Sequence, residues 1–345
     1  MSVAEIRQAV RTGGLLADGR PLVAMLSGGR DSVCLLDVAV ALRGSGDVSA
    51  LHVNYRLRDA ADADESHCVQ LCEQLGVELC VVRAERASAT GASPKGEFGD
   101  VREPIPSAPA GNVQAWARDV RYEAAHAQAE QRDASIATGH TASDQVETIL
   151  YRLAASPGRR ALLGMAAVDG RLIRPLLAVT REQTAAYCLE RGLRWREDES
   201  NEDNSYARVR VRHDLVAALR AVHPAAESNV LRTAQLLREE SELLRALVDA
   251  ELGDGREIAI ARLAELPAAL ARMVVVRLAE RAVGTYVPQA GERVGELLAL
   301  GARGGRAELH VGGFAGAVVH DGVLSMRRLA PRESSERLRA PPDGD

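Results

Sequence analysis

Through roughly the first 155 residues, short continuous apolar runs alternate with stretches whose apolar positions recur every three or four residues. The runs PLVAML, VSALHVN, VELCVVRA and ASIATGH read as four strands. Residues 31–42, 60–75 and 112–131 carry helical periodicity between them, and SDQVETILYRLAAS follows the fourth run as a further helix. Continuous apolar runs suit strands buried on both faces, and strand–helix alternation implies right-handed crossovers. The expected fold class is α/β, with a parallel sheet covered on both faces.

The periodicity fails between the third run and the helix at 112–131. Residues 87–110, within RASATGASPKGEFGDVREPIPSAPAGN, are rich in Gly, Pro, Ser and Ala and read as a flexible insertion, either inert or a lid. After RLIRPLL comes a helix at 180–191, then a long amphipathic helical stretch at 215–252 that ELGDGRE breaks. Residues up to about 330 read as a small α+β module, with helices in ARLAELPAALARMVVVRLAERA and GERVGELLALGA and strands in RAELHVGGFAGAVVHDGVLSMRR. The expected organisation is a catalytic domain at 1–213, a linker helix and small C-terminal domain at 214–330, and a polar, disordered tail at 331–345.

Composition narrows the class. The 345 residues are 46% apolar and 26% charged, an ordinary globular balance. No apolar run approaches a membrane span and the N-terminus lacks a signal-peptide core, which points to a cytoplasmic protein with no membrane partner. A net charge of −5 argues against a globally basic nucleic-acid binder and leaves a local basic patch open. Lys95 is the single lysine, so elsewhere phosphate chemistry falls to arginine. The five cysteines form no CxxC, which argues against a disulfide framework or a zinc ribbon and for small buried hydrophobes.

The chemistry starts at MLSGGRDS, residues 25–32. A strand, a glycine-rich turn and a helix N-terminus build an anion site from backbone N–H groups and the helix dipole. Gly28 and Gly29 allow close approach, and Ser27 and Ser32 can add hydroxyl donors. Asp31 is either a helix cap or a group that holds Mg²⁺ against phosphates. The usual ATPase loop G-x-x-x-x-G-K-[ST] is absent, because position 30 is arginine. SGGRDS instead resembles the S-G-G-x-D-S signature of the PP-loop ATP pyrophosphatase superfamily. That resemblance implies that ATP is cleaved between its α- and β-phosphates, with AMP passed to a carbonyl-type oxygen.

Further blocks sharpen it. LHVNYRLRD, NVQAWARDVRY, ATGHTASDQVETILYRLAASPGRRALLGM, IRPLL and WREDESNEDNSYARVRVRHDL stand in the order of the corresponding blocks of the tRNA(Ile)-lysidine synthetase family. The resemblance covers about residues 20–215, and the region beyond resembles the linker helix and first C-terminal domain of shorter family members. Tyr55 stands where the family usually has His, Thr141 and Ser143 replace His and Asp, Val209 replaces Asn, and the insertion is longer than usual.

The resemblance implies ATP and Mg²⁺ as cofactors, and free L-lysine and an isoleucine tRNA with a CAU anticodon as partners. The wobble cytidine C2 oxygen would be adenylated, and lysine would then displace AMP to give lysidine. Codon reading would change from AUG to AUA and charging from Met to Ile. Ser27 to Ser32, His52 and His140 would bind ATP; Asp31, Arg118, Asp144 and Glu147 would be catalytic; Arg208, Arg210 and Arg212 would meet RNA phosphates. Asp144 and Glu147 share one helix face and suit an ammonium, whose proton a carboxylate can accept.

Each residue also has a plainer role. Asp144 and Glu147 fit a solvated acidic face or a Glu147–Arg152 pair, and Arg118 and Arg121 fit ion pairs with Asp119 or Glu123. His140 fits a hydrogen-bonded structural histidine, the three arginines a solvated basic face, and Trp116 and Trp195 core positions. The rival functions are a PP-loop tRNA thiolase, which the absence of CxxC disfavours, an amide-forming ATP pyrophosphatase and an ATP-binding regulatory module. A homodimer is common enough among proteins of this kind to be expected as an assembly.

Overall fold

The computed structural model describes residues 1–57, 60–83, 113–156, 158–197 and 207–330. The insertion at 87–110 and the tail at 331–345 lie outside the described residues. Two compact units divide the chain, Met1–Leu237 and Arg238–Asp345.

In the first unit, α1 (Val3–Thr12) precedes β1 (Leu22–Met25), α2 (Arg30–Arg43), β2 (Val48–Asn54), α3 (Ala61–Leu75), β3 (Glu78–Arg83), α4 (Val113–Arg132), β4 (Ser135–Ala137) and α5 (Ala142–Ala155). Short α6 (Arg159–Leu162), the hairpin β5 (Val168–Asp169) and β6 (Leu172–Ile173), and α7 (Arg181–Glu190) follow. The sheet order is β3-β2-β1-β4-β6-β5, parallel except for the β5–β6 pair. Every residue of β1 and β2 is buried, as their unbroken apolar runs require. One core lies between the sheet and α1, α2, α3 and α7, around Leu35, Leu36 and Tyr187; the other lies under α4, around Val23, Ile136 and Ala125. The α/β expectation holds, and the strand order reverses between β1 and β4, where open parallel sheets place their ligands.

The long helical stretch expected at 215–252 is interrupted. α8 (Ala207–Arg210), a π-helical turn Val211–Val216 and α9 (Ala217–Val222) run on from one another, and α10 (Ala226–Leu252) starts afresh. His223 is extended at φ −155°, ψ 131°, because Pro224 disfavours a helical residue before it. Val216, Leu219, Val230 and Leu231 pack on Val146 and Leu150 of α5, so the first unit runs beyond residue 213 and the division falls inside α10.

The second unit is α+β. It contains β7 (Glu257–Ala259), α11 (Ile260–Glu265), α12 (Ala268–Val283), α13 (Val294–Arg303) and the strands β8 (Ala307–Gly312), β9 (Ala315–His320) and β10 (Val323–Arg328). The expected single helix at 261–282 is two helices, because Pro267 sits at the N-cap of α12. An antiparallel sheet ordered β7-β10-β9-β8 closes over α12, with Val274, Val275, Leu278, Val311 and Leu324 in its core. No helix of the described residues is long and apolar enough to cross a membrane.

Candidate active site

β1 ends at Met25 and the chain turns into α2 through Leu26–Gly29. Gly28 has φ +82°, a conformation glycine adopts without strain, and an added Cβ would lie 3.3 Å from Cys68 Sγ. Leu26 N–H donates to the Leu51 carbonyl at 2.8 Å, and Arg196 N–H donates to the Gly28 carbonyl at 3.0 Å. The two serine hydroxyls hold the turn itself. Ser32 Oγ donates to the Gly29 carbonyl at 2.8 Å, and Ser27 Oγ lies 3.1 Å from Ser32 Oγ and accepts from Gly29 N–H.

A second turn, Thr138–Thr141, leaves β4 beside the first. Gly139 is required there, since a Cβ would meet the Asp31 backbone at 3.0 Å. Thr141 caps α5 and exchanges hydrogen bonds with Asp144 in a capping box. A third segment completes the arrangement. Ala142 N–H donates to the Val179 carbonyl, and Arg181 N–H donates to Ser143 Oγ, which fixes Arg181 at the start of α7.

Between these turns lies a cavity of about 710 Å³ within the first unit. Of the expected site residues, Ser27, Gly29, Arg30, Asp31, Ser32, His140, Asp144, Arg208 and Arg212 line it. The others, Gly28, His52, Arg118, Glu147 and Arg210, lie outside the lining. His52 is buried on the opposite strand face from Leu51 and Val53, which do line the cavity; its Nδ1 sits 2.9 Å from the Leu26 carbonyl, so it braces the turn from behind. Gly28 packs against α3 and is not in the lining. Arg118 is exposed over the Tyr122 ring at 4.8 Å, and it is Arg121, one turn on, that faces the cavity. Neither arginine has an ion pair with Asp119 or Glu123 among the described residues. Arg210 is exposed and outside the lining.

The carboxylates are no solvated face. Asp144 is 8% exposed and Glu147 2%. Asp144 Oδ2 accepts from Thr141 N–H and Oγ1–H, both at 2.8 Å, and its Oδ1 accepts from Arg181 at 2.9 Å and Arg208 at 3.1 Å. Glu147 accepts from Arg181 at 3.0 Å, Arg208 at 3.1 Å and Arg212 at 2.7 Å, and lies behind these guanidiniums rather than in the lining. Arg152 instead donates to the Gly164 carbonyl. Arg208 and Arg212 are therefore paired with acids and do not form a free basic patch. Arg181 also lies 3.8 Å from Asp31, so one guanidinium joins the glycine-rich turn to the acidic pair.

Burial raises the Asp144 and Glu147 carboxyl pKa values, but the surrounding arginines, with Thr141 at Asp144, outweigh it and hold both below the usual range. Asp31 goes the other way: burial pushes it up against Thr184, Arg30 and Arg181. Burial takes His140 down to about 4, so it is neutral at pH 7, with Nδ1 2.8 Å from Thr138 Oγ1. No group of three or more His, Cys, Asp or Glu side chains among the described residues could hold a metal. Asp31 is a single hard carboxylate, which suits Mg²⁺ only with phosphate oxygens and water completing the shell.

Sequence reasoning missed Arg181, Tyr55 and Asp64 as cavity residues and gave Arg121 no role beyond an ion pair with Asp119 or Glu123 as its plainer alternative. It favoured a core position over a base-stacking one for Trp195, which packs on the core and also lines the cavity. Arg208 and Arg212 are four apart and Asp144 and Glu147 three apart, so two complementary helix faces were present in the sequence as a signal.

A glycine-rich turn and an acid–arginine cluster at the strand-order switch define a nucleotide-binding α/β domain, and the PP-loop domain family model matches residues 3–219. The tRNA(Ile)-lysidine synthase of Pseudomonas fluorescens is 37% identical over 233 residues, which cover 66% of this chain and 48% of that one. The tRNA(Ile)-lysidine synthase of Rhodococcus erythropolis is 34% identical over 278 residues, 77% of this chain and 76% of that one. The chain belongs to the tRNA(Ile)-lysidine synthase family of PP-loop proteins. It spans about half the length of the Pseudomonas fluorescens and Geobacter sulfurreducens relatives, at 48% of each. Among solved structures, the U34-tRNA thiolase NcsA from Methanococcus maripaludis shares the fold, with TM-score 0.52 and 16% identity over 68% of this chain and 78% of that one.

Proposed function

We propose that this chain adenylates the wobble cytidine of an isoleucine tRNA with a CAU anticodon and then joins free lysine to it. The observation that carries the reading is Arg181, which ties the anion-binding turn at Asp31 to Asp144 and Glu147 inside one cavity. Phosphate chemistry and amine chemistry therefore share a single chamber, as a two-step transfer requires.

In the first step the cytidine C2 oxygen attacks the α-phosphorus of ATP and pyrophosphate leaves. The N–H groups of Arg30, Asp31 and Ser32 at the start of α2 are offered to the leaving pyrophosphate, and the apolar side chains of Leu26, Leu51 and Val53 give the adenine a floor. Mg²⁺, when bound beside Asp31, neutralises phosphate charge. Neutral His140 has hydrogen-bonding capacity for the base or the phosphates.

In the second step the lysine amine attacks C2, one C–N bond forms and AMP leaves with the electrons of the C2–O bond. The amine must first lose a proton, since free lysine has a pKa of about 10.4. Of the acidic pair on α5, Asp144 is the one that lines the cavity, and the ammonium replaces Arg208 against it. Once the amine has given up its proton no cation stands in Arg208's place, so Asp144 faces less positive charge and holds the proton more readily. Arg208, Arg210 and Arg212 meet the RNA backbone as Arg208 leaves. None of the described cysteines lines the cavity, which weighs against a thiolase reaction.

The test is direct. Purified protein with ATP, Mg²⁺ and radiolabelled lysine labels an isoleucine tRNA carrying CAU. AMP production with another acceptor, and no label on that tRNA, defeats the reading.

A further inference from the structure

Two of the arginines expected to meet RNA are already occupied, Arg208 by Asp144 and Arg212 by Glu147. The wall of the cavity where β2 meets α4 carries two that are not. Tyr55 lines the cavity. Its Oη donates to the Ala117 carbonyl at 2.8 Å, and its ring meets Trp116 edge-on with centroids 5.9 Å apart. Arg56 follows Tyr55 and Arg118 follows Ala117, so the two arginines flank this clamp, and both are exposed. Neither guanidinium has a hydrogen bond or an ion pair to a described residue, and Arg118 touches only the Tyr122 ring, at 4.8 Å.

Arg56 is held in a strained conformation. Its φ of +51° is left-handed, where Cβ crowds the following carbonyl. Asn54 enforces it. That residue is buried, its Oδ1 accepts from Arg56 N–H at 2.9 Å, and its Nδ2 donates to Asp62 at 3.1 Å and Glu65 at 2.9 Å on α3. Glu65 also accepts from Arg83 Nε at 3.1 Å, so both acids are bonded elsewhere than to Arg56. Leu57, the next residue, is 52% exposed. A rigid turn that presents an unpaired guanidinium and a bare apolar side chain to solvent gains nothing in packing, and backbone strain of this kind collects at ligand clamps.

We propose that Arg56, Leu57 and Arg118 form the surface on which the RNA strand flanking the reacting base lies, with the two guanidiniums on phosphates and Leu57 against a neighbouring base. The inference deepens the proposed function and rests on its RNA substrate, not on lysine transfer. A base drawn into a cavity leaves its backbone and its neighbours outside. Guanidiniums without a carboxylate are matched to those phosphates, and an exposed apolar side chain gives an unstacked base a face to cover. In a chain of net charge −5, two such arginines on either side of one contact are the local basic patch that an RNA strand needs.

Two measurements on the full chain test it: fluorescence anisotropy with a labelled isoleucine tRNA transcript carrying CAU, over a range of salt, and calorimetry with ATP. Arg56→Gly is expected to weaken tRNA binding about threefold and leave ATP unchanged. It is also expected to melt no lower than wild type, since glycine takes φ +51° without strain. Arg118→Gln is expected to weaken tRNA binding by a similar factor. In the double variant the slope of log K against log[salt] is expected to be shallower by about 1.4, at ~0.7 for each phosphate of a single strand. Leu57→Ala is expected to weaken tRNA binding with that slope unchanged, because it removes no charge. Unchanged tRNA affinity and slope in the double variant overturn the proposal. So does an equal loss of ATP affinity, which places the two arginines in the nucleotide site. A wild-type chain that binds the tRNA but transfers no lysine, with the double variant shifted as expected, defeats the lysidine reading and leaves this one standing.

Discussion

Arg208 Nη2 lies 3.1 Å from Asp144 Oδ1, so a side chain of the protein itself occupies the place proposed for the lysine ammonium. The Arg208 side chain is 47% exposed, whereas Asp144 is nearly enclosed, so the arginine is the partner free to leave. Arg181 and Thr141 stay on Asp144 when Arg208 swings away, so the carboxylate is not left unpaired. Arg208→Gln is therefore expected to lower the apparent KM for lysine about threefold, because less competes for Asp144. Steady-state lysine titration with saturating ATP and tRNA checks this, and a raised KM would show that Arg208 helps to hold the amine.

Glu147 makes a different prediction, since it is sealed behind three guanidiniums. Replacing it with Gln leaves the half-enclosed Arg181 and Arg212 short of counter-charge, and a broken buried pair costs about 3 kcal/mol. Urea denaturation of Glu147→Gln should show that loss; stability within ~0.5 kcal/mol of wild type would mean the cluster relaxes freely.

The same residue sets a pH dependence. Glu147 and Asp144 are held below their ordinary pKa values, so their stabilisation is present above the unfolded-state value near 4 and is lost as pH falls through the folded values. Asp31, pushed up by burial, works in the opposite sense and offsets part of the loss. Melting temperature should therefore fall as pH drops below about 4.5, and the fall should be shallower in Glu147→Gln. Parallel curves for the two proteins would remove Glu147 from the acid transition.

What the sequence made legible follows range of interaction. β2 falls at Val48–Asn54, the run expected as a strand, because seven buried residues in a row are written locally. The turn at Ser27–Ser32 is likewise local. Arg181 was invisible because its partners lie 34 and 37 residues away and meet it only through the capped start of α7. Arg118 and Arg121 were indistinguishable as arginines of one helix. It is the tyrosine clamp at Ala117 and the packing of Val120 and Ala124 that decide which of them faces the cavity. The arginines after Tyr206 were read by their charge alone, whereas their fold places Arg208 and Arg212 on acids of α5.

Gly139 links the two turns, so it tests the nucleotide site without altering any charge. A methyl group there would lie 3.0 Å from the Asp31 carbonyl carbon and oxygen and 3.1 Å from Ser32 N, all backbone atoms that cannot rotate away. Gly139→Ala is expected to push the start of α2 outward and weaken ATP binding about tenfold, with a smaller change in adenosine binding. Calorimetry on the variant decides it, and wild-type ATP affinity would show that the turns separate without cost.

Asp144→Asn separates the two chemical steps. An asparagine carbonyl can still accept from Thr141 N–H and Oγ1–H, so the cap of α5 is kept. Its amide NH₂ then faces Arg181 and Arg208, donor against donor, and can neither pair with an ammonium nor take its proton. The glycine-rich turn and Asp31 are untouched. Pyrophosphate release in the presence of tRNA is therefore expected to persist at least in a single turnover, while lysine incorporation falls below detection. Rapid-quench measurement of labelled pyrophosphate beside labelled lysine reads both steps from one reaction. Equal loss of the two would place Asp144 in the adenylation step, and undiminished lysine transfer would take it out of the amine site altogether.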